Sequence, residues 1–322
     1  MSPIAVTRSI VAADALGEVI AQEYDLPGPL SCKLISKMLR TQDNEHYLVR
    51  AGDAKVVARV YQLGEHLQRH ESDYLYELHW LNFLKAQGQP VSYPITRRDG
   101  GFLGQLEAPE GPRYYALFSF APGKPMADDD EDQLFALGNA MAKIHLASND
   151  YEPIYQRRKM GLDFLVNEPV NRLQEFWATH QDAKLEILLT SAEEARERIE
   201  ALLRNEEETE DSWGPIGGDF HPYSTHFNRS NEPTFFGFDL CGKGWRAYDI
   251  ASFLLNADLM RQPSHLSEAF FAGYYAARPL SRNEHEAIAP FLTIRRVWLA
   301  GTFSTVEGVT GYTFIGPAQL DL

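Results

Sequence analysis

The sequence predicts an α+β chain of two lobes: a small antiparallel β-sheet lobe with one main helix, then a larger, mostly helical one. Three observations predict it. Short β-rich runs crowd the first third, an apolar strand ends in Pro122-Gly123 like a hinge, and helical periodicity takes over from about Asp128. The boundaries are expected at residues 1–120 and 121–322.

In order along the chain, HYLVRAG and KVVARVY read as two strands joined at Gly52 and Asp53, the pattern of a hairpin. A helix follows, with Ser72 or Asp73 as its cap, Leu75, Leu78, Leu81 and Leu84 recurring every third residue, and Gly88 as its stop. A turn is expected at Asp99 to Gly101, and YYALFSFAPG is the strand that runs into the hinge. The helical part comprises DEDQLFALGNAMAKIHLAS, a segment near Phe164 to Trp177, and SAEEARERIEALLRN, where Ser191 and Glu194 have the spacing of a capping box. EEETED reads as a solvated loop. Near Ile216 short strands reappear around GGDFHPYSTHF and TFFGFDLCG, and polar residues gather there.

Bulk composition narrows the functions. The net charge of -15, from 45 acidic against 30 basic residues, repels nucleic acid and anionic membrane over most of the surface. A cationic or neutral small-molecule substrate suits that field. Cys32 and Cys241 lie far apart without metal-ligand spacing, which argues against a disulfide framework and a zinc ribbon and favours a reducing compartment. No basic start followed by a long apolar run opens the chain, so a cytoplasmic location is expected, with no membrane partner. The oligomeric state is not legible.

Between Asp219 and Asp249 the chain collects Asp219, His221, His226, Asp239 and Asp249, on either side of an expected hairpin that draws Asp219 toward Asp239. Paired carboxylates in a cleft can accept a proton and hold a metal, the two tasks of phosphoryl transfer. His221, His226, Asp239 and Cys241 carry transition-metal ligand types as an alternative, though their spacing fits no familiar zinc pattern.

GGDFHPYSTHFN followed by FFGFDLCGKGWRAYDIASFL resembles the signature of the aminoglycoside phosphotransferase and choline kinase-like family, which has a protein-kinase-like fold. The resemblance implies ATP and Mg2+ as cofactors, with Asp219 as catalytic base beside His221 and Asp249 anchoring the catalytic loop. It also places Asn44, in DNEHYLV, in the loop over the nucleotide phosphates, and Arg59 as the phosphate-contacting cation with Glu77 as its helix partner. Leu117, Phe118 and Ser119 would line an adenine pocket, making residues 1–120 a nucleotide-binding lobe and 121–322 the lobe carrying catalytic loop and substrate site.

Three positions depart from the family pattern. The opening His is Gly217, the metal-binding Asn is Ser224, and the metal-binding Asp, twelve residues before Asp249, is Gly237. Magnesium would then rest on Asp239, which lies two residues along and on the same face if the segment is a strand, together with Ser224. Two readings stay open. One is an ATP-dependent phosphotransferase acting on a hydroxyl of a small metabolite or antibiotic-like molecule; the other is a pseudokinase or repurposed member with a binding role or a different activity.

Overall fold

The structure, a computed structural model, describes residues 6, 8–36, 44–62, 69–127, 130–179, 183–204, 211–259 and 266–304. The chain divides into two compact units, Met1–Asn82 with Ser92–Phe120, and Phe83–Val91 with Ala121–Leu322.

The first unit is a five-stranded antiparallel sheet of β1 (Leu30–Leu34), β2 (Glu45–Ala51), β3 (Ala54–Val60), β4 (Gly104–Ala108) and β5 (Gly111–Ser119), in the order β1-β2-β3-β5-β4. The hairpin read at Gly52 is the β2–β3 turn, with Gly52 in the left-handed region at φ 56°. Alternate residues Tyr47, Val49, Ala58, Val60, Tyr115 and Leu117 form one buried face. Helix α1 (Ala13–Glu23) covers it with Leu16 and Ile20. The sequence reading missed that helix, although Leu16 and Ile20 stand four apart.

Arg59 of β3 meets α2 (Glu71–Ala86) through Glu77. Leu78, Leu81 and Leu84 of α2 are buried, and Gly88 follows its last turn at φ 71°. The helix starts before the expected cap: Ser72 and Asp73 are inside the first turn, and Asp73 reaches back to accept from His70 N at 2.7 Å.

The second unit carries α3 (Glu131–Ala147), a π turn at Asp163–Asn167 that runs into α4 (Glu168–Thr179), α5 (Ala183–Leu203), α6 (Arg246–Leu259), α7 (Leu266–Ala277) and α8 (Arg282–Phe303). Short strands interrupt them: β6 (Lys124–Pro125), β7 (Trp213–Ile216), β8 (Thr225–Phe227), β9 (Pro233–Phe235) and β10 (Gly242–Trp245). Asp130 caps α3 by accepting from Gln133 N, and Ser281 with Glu284 caps α8 reciprocally. The capping box read at Ser191 and Glu194 is absent. Leu185 and Leu188 extend the buried stripe of Ala192 and Ile199 toward the N-terminus, so α5 begins at Ala183 and Ser191 sits mid-helix. EEETED falls, apart from Asp211, outside the described residues. Among the described residues no helix is long and apolar enough to cross a membrane.

Helices α3 and α7 touch backbone to backbone. A Cβ on Gly138 would overlap the Phe270 carbonyl oxygen, and one on Gly273 would overlap that of Phe135. Two glycines therefore set the spacing on which the position of His145, near the end of α3, depends. Gly273→Ala is expected to destabilise the protein by about 2–3 kcal/mol, because the obstacle is backbone rather than a side chain that can turn away; urea unfolding of the two proteins measures the difference.

Candidate active site

Two antiparallel ladders hold the site open between them. β7 pairs with β10 from Trp213↔Trp245 to Ile216↔Gly242, and β8 pairs with β9 from Thr225↔Phe235 to Phe227↔Pro233. Past a last backbone bond from Phe236 N to Ser224 O at 2.9 Å the arms part, leaving residues 217–223 opposite 237–241. Asp219, His221 and Ser224 lie on one arm, Gly237 and Asp239 on the other. The expected hairpin is present, with the two carboxylates in its unpaired middle.

The first arm is anchored from below. Asp249, on the first turn of α6, accepts from Gly217 N at 2.7 Å and Gly218 N at 2.6 Å. The carboxylate is fully buried. His145 Nε2 stands 3.1 Å from it, while His145 Nδ1 is 2.8 Å from the Tyr274 hydroxyl. The carboxylate requires a donor at Nε2, so Nδ1 is left to accept from Tyr274. Burial, with Arg246 and Arg278 nearby, holds His145 well below the usual imidazole range, consistent with that neutral tautomer. Burial pushes Asp249 up to about 7, against the two N–H bonds and the charges of Arg246 and Arg295 that favour its anion. Gly218, at φ 78°, passes so close to the Leu240 carbonyl that a side chain would collide with it.

Asp219 is gripped by one oxygen only. Oδ1 pairs with the Arg295 guanidinium and lies 3.4 Å from Asn256 Nδ2, which also donates to the Phe220 carbonyl at 3.0 Å. No hydrogen bond among the described residues reaches Oδ2, and the side chain is 30% exposed. Arg295 is itself 2% exposed and fixed by the Gly218 carbonyl at 3.3 Å, the Tyr248 hydroxyl at 3.2 Å and the Trp298 ring at 4.9 Å. Sequence reasoning missed both partners. Asn256 follows Asp249 by two helical turns, and Arg295 is a charge on the buried stripe of Phe291, Ile294 and Trp298.

Burial keeps His221 below the ordinary imidazole range, although the charges of Asp219 and Asp239 pull it up. Its buried Nδ1 has no hydrogen-bond partner among the described residues. Ser224 is buried, its hydroxyl closed into a turn between His221 O at 2.9 Å and His221 N at 3.3 Å. It does not present itself as a ligand. Gly237 and Asp239 are not in a strand, and Gly237 has φ 82°, so the pleat that would put them on one face does not exist. Asp239 is half-buried, and its carbonyl accepts from Arg157. His226 faces the Ala121 carbonyl at 3.1 Å instead of joining a metal set. Among the described residues no three His, Cys, Asp or Glu side chains converge, so neither the zinc alternative nor a carboxylate-rich magnesium site fits the residues present.

In the first unit Arg59 Nη1 pairs with Glu77 Oε1 at 2.6 Å, with side chains 5% and 1% exposed. The Arg59 guanidinium also lies 4.5 Å from the centre of the Phe118 ring. Leu117 points the other way, into the core beneath α1, because neighbouring strand residues face opposite sides. Backbone groups of Leu117 and Ser119 are taken up by Ile95 N, Tyr93 O and the Ser92 hydroxyl, so this stretch is held in the sheet, with the Leu117 side chain in the core of the first unit. Of DNEHYLV, Asp43 lies outside the described residues and Glu45 to Val49 belong to β2, a strand rather than a loop. Asn44 accepts from Gln62 N at 3.0 Å, closing the end of the β2–β3 ladder.

Comparison with known proteins agrees with the motifs. Residues 36–291 match the model of the phosphotransferase enzyme family. An uncharacterized protein of Deinococcus radiodurans is 30% identical over 300 residues, covering 91% of this chain and 82% of that protein. A homoserine kinase of Rhizobium etli is 24% identical over 277 residues, covering 83% and 77%. Among solved structures, an amicoumacin kinase in complex with AMP-PNP, Ca2+ and Ami has a TM-score of 0.74 at 17% identity, covering 95% of this chain and 91% of that one. A microcompartment-associated aminopropanol kinase has a TM-score of 0.73 at 19% identity, covering 92% and 91%. The fold is therefore the kinase-like α+β fold expected from the sequence.

Asp249→Ala would strand the Gly217 and Gly218 amides and the His145 ring in a dry interior. A loss of about 3–5 kcal/mol is expected in chemical denaturation.

Proposed function

The chain belongs to the phosphotransferase enzyme family, and on that premise we propose that it transfers a phosphoryl group from ATP to a hydroxyl of a small molecule. One observation carries the reading: Asp219 is locked through Oδ1 by Arg295 and Asn256 and offers Oδ2. Oδ2 takes the proton of the acceptor hydroxyl as its oxygen bonds to the terminal phosphorus, and the bond to the departing diphosphate oxygen breaks. Arg59, held by Glu77, is the cation for the phosphates, since a guanidinium offers a planar fork to two oxygens. His221, half-buried, organises the loop rather than moving the proton.

An amino alcohol is the acceptor class supported best. Homoserine and aminopropanol, which name a relative and a structural neighbour, are of that kind, and the net charge of -15 favours a cationic amine. A second reading, a nucleotide-binding protein without transfer, is favoured by one feature, the missing donors at Ser224 and Gly237.

A panel of amino alcohols, assayed for acceptor-dependent ADP release, tests the first reading. Asp219→Asn is expected to lower turnover by about 10³-fold while nucleotide affinity stays within about threefold. Equal turnover in both proteins would exclude Asp219 as the base. Nucleotide binding with no turnover on any acceptor would favour the second reading.

A further inference from the structure

The two positions where the family pattern has its metal ligands remain neighbours here. A Cβ built on Gly237 would lie 3.5 Å from the Cβ of Ser224, an ordinary van der Waals distance. The scaffold that would aim two donors at one point is therefore intact, and only the donors are gone. Gly237 has no side chain, and the Ser224 hydroxyl is spent on the His221 backbone.

The positive charge beside Asp219 is of another kind. Arg295, buried on α8, neutralises Oδ1 directly and is fixed by Tyr248, Gly218 and Trp298. A metal ion at an active carboxylate does two things: it gathers phosphate oxygens and it cancels carboxylate charge that would repel them. The second task is already done by a guanidinium that cannot dissociate or lose its proton at neutral pH. Toward a metal, no three His, Cys, Asp or Glu side chains converge among the described residues, and Asp239 stands without the two donors of the family pattern.

We propose that this chain binds its nucleotide without a divalent cation, at a family metal site whose two donor positions are kept in place but emptied of donors. The inference rests on the nucleotide reading given above and adds the form in which the nucleotide is taken.

Calorimetric titration of the full chain with ATP, once in EDTA and once in excess magnesium, tests it. Affinities within about threefold of each other are expected, since no built site rewards the ion. A loss of about tenfold or more in EDTA would overturn the proposal while leaving the nucleotide reading standing. Absence of binding in both buffers would overturn both.

The restored double variant Ser224→Asn with Gly237→Asp is expected to gain at least about tenfold in affinity when magnesium is added, because an amide and a carboxylate would again converge. Asp is among the residues that tolerate the left-handed backbone at position 237. Should the double variant fail to fold, Ser224→Asn alone, whose backbone is unstrained, is expected to show a smaller gain in the same direction. A folded variant without any magnesium response would contradict the claim that only the donors are missing.

Discussion

Two backbone amides, those of Gly217 and Gly218, end on one buried carboxylate, and the presentation of Asp219 depends on that contact. A turn that follows a short strand has few partners of its own, and here its amides would otherwise face a dry interior. Asp249 supplies the acceptor. Its remaining demand is met by His145, whose tautomer is fixed in turn by Tyr274, and Arg278 donates to the Tyr274 hydroxyl at 3.3 Å. Helices α3, α6 and α7 therefore converge on the loop through side chains, and the close glycine contacts of α3 with α7 keep that convergence in register.

Above the anchor the electrostatics are asymmetric. One oxygen of Asp219 is neutralised by Arg295, the other is presented, and Asp239 stands across the parted ladders. A carboxylate held in this way keeps a defined direction for proton acceptance, which a freely rotating one does not. Arg295 belongs to the last described helix and is far from the loop in sequence, so the arm that carries Asp219 is complete only when the whole second unit has folded.

Much of this was legible in the residues. The β2–β3 hairpin followed from alternation and Gly52, the leucine-marked α2 from its periodicity, and the loop from GGDFHPYSTHF and GWRAYDIASF taken together. Local rules went astray where tertiary packing overrides them. Ser191 and Glu194 have the spacing of a capping box, yet Leu185 and Leu188 continue the stripe beyond them. Gly237 to Asp239 looked like a strand, but Gly237 is in the left-handed region and the ladder has already ended at Phe235. Arg295 and Asn256 had only weak local signals, since what identifies them is a partner about 76 and 37 positions away.

Amide hydrogen exchange at Gly217 and Gly218 tests the anchor most directly. If Asp249 holds the turn, both amides exchange only through global opening of the second unit and are as slow as the core of α3. Exchange at these two sites as fast as in the exposed turn at Ser230 and Asn231 would contradict it.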